Sequence, residues 1–143
     1  MKIIFFKRKS IFLSILSTLI LTPTISNSQP LWAQSGIDID GEAALDESGH
    51  SVSMNTAGDR IAIGAHFNDG TGAEAGHVQI YEWNGTAWTQ LGVDIDGEAA
   101  GDQFGESVSM NNDGDRLAIG APFNDGTGTE AGHARIYEWD GTA

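Results

Sequence analysis

Beyond residue 34 the apolar residues fall in short runs whose side chains alternate in size or polarity at every second position. In Leu117-Ala118-Ile119-Gly120 large side chains alternate with small ones. In His77-Val78-Gln79-Ile80-Tyr81-Glu82-Trp83 one face carries Val78 and Ile80, the other Tyr81 and Trp83. A period of two marks a strand, and no stretch of this region shows the 3.6-residue period of a helix. The runs predict strands at residues 51–54, 60–65, 76–83 and 87–91, and again at 107–110, 116–121 and 132–139. A sheet with apolar groups on both faces requires a packed neighbour on each side.

The connections are rich in Gly, Asn, Asp, Thr and Ser. Asn84-Gly85 and Asp140-Gly141 each follow Tyr-Glu-Trp and predict type I′ hairpin turns, with positive φ at both central residues. Asn55-Thr56-Ala57-Gly58-Asp59 and Asn111-Asn112-Asp113-Gly114-Asp115 join the first two strands of each set. The longer connection at 67–75 is expected at the surface.

These elements recur with a period of 56 residues. Residues 36–87 laid over 92–143 give 39 identities in 52 positions without a gap. A period of this size is the mark of a solenoid, a propeller or an array. Four short strands per unit, joined by hairpins and packed face to face with the next unit, describe a blade of a β-propeller. A β-solenoid is the rival, but its coils are shorter and do not need tight hairpins. The expected fold is therefore all-β, built of antiparallel four-stranded blades. Residues 36–91 form the first blade and 92–143 the second. The second unit reaches Ala143 before any counterpart of Trp88-Thr89-Gln90-Leu91, so its outer strand is expected to be missing and 132–139 to be an unpaired edge. The expectation is a fragment of a longer propeller that, alone, folds poorly or self-associates.

Residues 1–33 have the order of a secretory signal peptide. Lys2, Lys7, Arg8 and Lys9 form a positive start, residues 11–21 an apolar run, and Pro23 opens a polar stretch. Cleavage is expected after Ser28 or Ala33. A spanning helix needs roughly 20 apolar residues, about twice this run, which disfavours an uncleaved anchor; a buried core helix is the remaining alternative.

Charge divides along the same line. Past the leader, Arg60, Arg116 and Arg135 face all 20 acidic residues, a balance of −17 with histidine neutral. Such a surface repels nucleic acid and anionic lipid and attracts cations. With no cysteine, stability must come from packing or bound ions.

On these residues the chain resembles the FG-GAP repeat family, the blade type of integrin α-subunit propellers and of many secreted bacterial proteins. Phe104-Gly105 and Gly120-Ala121-Pro122 carry both signatures, with Ser107-Val108-Ser109 between them. The flanking segments Asp113-Gly114-Asp115-Arg116-Leu117-Ala118-Ile119 and Gly132-His133-Ala134-Arg135-Ile136-Tyr137-Glu138-Trp139 look like its bacterial and algal branch. The first copy departs twice: Ser48-Gly49 stands for Phe-Gly, and Gly64-Ala65-His66 for Gly-Ala-Pro. The resemblance implies calcium-binding loops between the two signatures. Here the equivalent loop, with Asn111, Asp113 and Asp115, is shorter and lacks a closing acid, and the first copy retains only Asn55 and Asp59. A plain hairpin turn is the expectation, with calcium bound weakly or not at all.

No residue is assigned as catalytic, cofactor-binding or metal-ligating. Asp38-Ile39-Asp40-Gly41-Glu42 and Asp94-Ile95-Asp96-Gly97-Glu98 lack EF-hand spacing. The turns around Asn68-Asp69-Gly70-Thr71-Gly72 with Glu74, and the copy ending at Glu130, are read as solvated. Of His50, His66, His77 and His133 only the last two recur, at a structural position, and Trp83 and Trp139 are read as packing residues before sugar platforms. The expected function is an exported, non-enzymatic interaction or adhesion module. It would take a protein or carbohydrate ligand, without nucleic acid and without membrane contact after cleavage. The alternatives are the propeller part of a secreted enzyme or lectin whose active site lies in further sequence, and a truncated reading frame without function.

Overall fold

The computed structural model describes residues 32–142, and every element in them is a strand. The expected leader lies outside the described residues, apart from Trp32 and Ala33. The first sheet contains β1 (Ser51–Met54), β2 (Arg60–Ala65), β3 (His77–Trp83) and β4 (Trp88–Gln90) in that order, with β5 (Ile95–Asp96) also paired to β3. The second sheet is β6 (Ser107–Met110), β7 (Arg116–Ala121) and β8 (His133–Glu138). All pairs are antiparallel, as expected of propeller blades. The register repeats with the sequence: Ser51 opposite Gly64 becomes Ser107 opposite Gly120, and Arg60 opposite Glu82 becomes Arg116 opposite Glu138.

Two expectations need correction. The Asn84 and Asp140 turns are not type I′, because only Gly85 and Gly141 take positive φ. Asn84 instead folds a four-residue loop with its side chain, Oδ1 accepting from Thr86 N and Ala87 N at 3.0 Å each. Asp140 does the same with Thr142, whose hydroxyl and N–H hold its carboxyl below the usual range. The second correction is β5, which the alternation did not reveal. While β3 steps back three residues from Tyr81 to Val78, its partner advances five, from Gln90 to Ile95. The outer strand of the first blade is thus β4, a two-residue bulge and β5, with Leu91 N still bonding Ile80 O at 2.8 Å.

The size alternation along the strands decides how the blades pack. The register puts Val108, Met110, Leu117, Ile119 and Tyr137 on one face of the second blade. It puts Ser51, Ser53, Ala62, Gly64, Val78 and Ile80 on the facing side of the first. Large side chains of one sheet therefore enter the shallow face of the other, and Ala62, Val78, Phe104, Leu117, Ile119 and Ala121 form the core between them. The two serines become useful there: Ser51 Oγ donates to Gly105 O at 2.6 Å, and Ser53 Oγ accepts from Met110 N at 3.0 Å. The segment between β5 and β6 is sewn to the first blade by Gly97 N to Gly76 O and Phe104 N to Ala75 O, at 2.8 and 2.9 Å. No residue at Gly64 could carry a Cβ without striking Gly105 O. The backbones meet where only glycine fits.

Candidate functional site

Each blade ties two turns together at the same end. In the second copy Asn124 Nδ2 donates to Asp102 Oδ2 at 2.8 Å, and in the first Asn68 Nδ2 donates to Asp46 Oδ2 at 2.9 Å. All four side chains are buried, so each tether fixes the turn before the blade's first strand to the loop after its second. Gly49 N and Gly105 N complete the attachment, bonding Gly64 O and Gly120 O at 3.1 and 3.0 Å. The turns themselves reverse through left-handed residues at equivalent places, Glu47 (φ 54) and Gln103 (φ 53).

In the first copy this junction gathers a group that sequence reasoning left apart. Glu47 comes from the turn, His50 stands one residue before β1, His66 one residue after β2, and Glu106 arrives from the second blade. Glu47 Oε2 lies 3.6 Å from His50 Nδ1 and 3.8 Å from His66 Nε2. Glu106 lies 3.4 Å from His50 Nε2 and 3.5 Å from His66 Nε2. These separations are longer than the 2.7–3.2 Å of an N–H···O hydrogen bond. The imidazoles touch, with ring centres 3.9 Å apart. His66 is only 3% exposed, and its Nδ1 has no hydrogen-bond partner.

A second group, Glu42, His77 and Asp94, is built differently. Gln79 Nε2 sits between the carboxylates and donates to both, at 3.1 Å each, while Tyr81 OH donates to Gln79 Oε1. Burial, then the charges of Asp94 and Glu42, raise the Tyr81 phenol above its ordinary value of 10.0. At the equivalent place in the second copy Arg135 replaces Gln79 and pairs with Glu98. Of the acids in the two Asp-Ile-Asp-Gly-Glu segments, Asp38, Glu42 and Asp94 thus face neighbouring amides and Glu98 a guanidinium.

The turns considered for calcium close on themselves. Asn111 Oδ1 accepts from Asp115 N and Arg116 N at 3.1 and 3.0 Å, and Asn111 Nδ2 donates to Asp115 Oδ1. Asn55 and Asp59 repeat this pattern. At the rim, Asp69 and Asp125 cap their own loops through Glu74 N and Glu130 N, at 2.8 and 2.7 Å.

Phe104 is fully buried between the blades, and the Gly120-Ala121-Pro122 turn is tethered to the segment that carries it through Asp102 and Asn124. Residues 93–137 match the FG-GAP repeat. A search of curated proteins gave no match. The Phe of this FG-GAP repeat acts as the plug between blades, edge-on to Tyr137 and His133 at 6.4 and 6.5 Å. Ser48 stands at that position in the first copy, where the described residues include no preceding blade to receive a Phe. Trp83 and Trp139 pack on the segment entering their own blade: the positions a Cβ would take at Gly36 and Gly92 lie 2.9 and 3.3 Å from their rings.

The FG-GAP frame also shows which signal was missed. Thirteen positions differ between the aligned copies, and Glu47, His50 and His66 are three of them. Substitutions away from the repeat that converge in space are evidence of a local task. Recurrence marks His77 and His133 as structural but says nothing against His50 and His66, which occur once.

Proposed function

We propose that this is an exported propeller-type interaction module without enzymatic chemistry, binding protein or carbohydrate ligands through its rim and like blades through its open faces. The observation that carries the reading is the pair of faces left uncovered. Val52 and Met54 are 59% and 49% exposed, yet their counterparts Val108 and Met110 pack into the core between blades. Ile136 is 69% exposed, whereas its counterpart Ile80 packs there too. The outer faces thus match the two halves of the interface inside the chain, and a like blade, from a longer propeller of which this is a fragment or from a second copy, docks on them as the second blade docks on the first. The rim supports the rest: its loops are braced by their own carboxylates, which gives a stiff, acidic, repeated surface suited to recognition.

Sedimentation velocity on the exported chain tests the association. Concentration-dependent oligomers that vanish with either Val52→Glu or Ile136→Glu support the docking; a monodisperse monomer with a cooperative melt refutes it. Ligand capture is tested separately with immobilised protein on glycan and extracellular-peptide arrays. Turnover of a glycoside or ester substrate by the purified chain would favour the enzyme alternative.

A further inference from the structure

We propose that Glu47, His50 and His66 form a binding site for a zinc-class divalent ion, with Glu106 of the following blade as its outer carboxylate. The ligand atoms of the three residues lie within 4.8 Å of one another. Tetrahedral zinc holds nitrogen and oxygen at about 2.0–2.2 Å, so its ligands stand roughly 3.3–3.6 Å apart along the tetrahedron edges. Glu47 Oε2 to His50 Nδ1 at 3.6 Å and to His66 Nε2 at 3.8 Å are close to that spacing. They are too long for direct hydrogen bonds.

The remaining atoms agree with the assignment. With Nδ1 of His50 on the metal, its Nε2 carries the proton and faces Glu106 Oε1 at 3.4 Å. At 3.4 Å this is longer than a hydrogen bond; a closer approach of Glu106 on metal binding would make the carboxylate–imidazole arrangement that orients metal-bound histidines. His66 is the independent indication. Its ring is almost wholly buried among two carboxylates and a second imidazole, and neither ring nitrogen takes part in a described hydrogen bond. A buried imidazole without partners is costly; an ion at Nε2, the nitrogen that faces both carboxylates, gives the ring a partner, and Nδ1 then carries the proton. Two imidazoles and one carboxylate suit zinc and its neighbours, whereas calcium takes oxygen ligands. Three protein ligands leave a fourth position for a small oxygen donor. The Glu42, His77 and Asp94 group does not share this character, because Gln79 already occupies the space between its acids.

The repeat supplies clean test variants. Glu106 and Pro122 stand in the second copy where His50 and His66 stand in the first, so His50→Glu and His66→Pro install residues that the same backbone already accepts. No described backbone hydrogen bond uses His66 N, so proline removes none. Untagged exported protein is titrated with zinc alone against a chromophoric chelator, and cobalt(II) absorption is read in parallel. The expected result is one ion per chain, micromolar or tighter, with a low-coordinate cobalt spectrum and a raised melting temperature. His66→Pro and His50→Glu should abolish binding while keeping the β-sheet circular dichroism. Glu106→Gln should weaken binding about 10- to 100-fold, and Glu42→Gln should leave it unchanged. Absence of stoichiometric binding overturns the proposal, as does zinc uptake that survives both histidine substitutions.

Discussion

Gly64→Ala should separate the blades, whereas the same change at Gly120 should be tolerated. Both glycines sit opposite a serine in the same register, Ser51 and Ser107. At Gly64 a Cβ would fall under 3.0 Å from Gly105 O, a backbone atom of the segment entering the second blade, and from Ser51 Oγ. Ordinary contact begins at 3.4 Å, so the second blade must back away or the strand must buckle. Overfilling a packed interior costs about 1–3 kcal/mol. Losing the Ser51 Oγ to Gly105 O bond adds roughly 1 kcal/mol, for a total near 2–4 kcal/mol. At Gly120 the obstacle within 3.0 Å is Ser107 Oγ alone, an exposed side chain that can rotate away. The cost there should stay below about 1 kcal/mol. Urea unfolding of the two variants at a protein concentration low enough to keep the chain monomeric, followed by tryptophan fluorescence and circular dichroism, measures the difference. Equal losses, or a neutral Gly64→Ala, would show that the close approach of the blades does not hold in solution.

Phe104→Ala removes the plug between the blades and should cost about 3–5 kcal/mol, read from the same unfolding curves. Ser48, its counterpart on the open side, should accept alanine within about 0.5 kcal/mol. Alkaline spectrophotometric titration should find a phenol ionising above 10.0 that disappears in Tyr81→Phe. Because the folded state holds that proton more tightly, the Tyr81 contribution to stability persists below pH 10.0 and is lost as pH rises through the raised value. Calcium should bind weakly and without saturation in calorimetry at about 0.15 M salt, since Asn111 Oδ1 already accepts two backbone N–H groups. A micromolar calcium site lost on Asp113→Ala would contradict this.

Strand positions were legible because alternation of large and small residues is a local property. β1, β2, β6 and β7 fall where the alternation puts them, and only the ends of β3, β4 and β8 shrink inward. Gly76 and Gly132 leave the predicted strands because both take positive φ, which a strand cannot use. β5 was not legible: Ile95 and Asp96 are too few to show a period, and their pairing depends on a bulge whose residues include Gly92. The histidine group was hidden for another reason. His66 lies 16 positions after His50 and Glu106 a further 40 after His66; the pairing of β1 with β2, the buried Asp46–Asn68 tether and the docking of the blades bring them together. The repeat did mark the place, as a local loss of identity.

The strand that finishes the first blade has a consequence for how such a chain grows. Its last residues, Ile95 and Asp96, belong by sequence to the second repeat, so the structural unit and the repeated unit are out of phase. A ribosome must start the second repeat before the first sheet can acquire its full edge. A gene that duplicates any 56-residue window, wherever the cut falls, delivers one more sheet together with the half-strand that completes its predecessor. Lengthening by recombination therefore needs no new junction to be invented, because every breakpoint reproduces one that already folds.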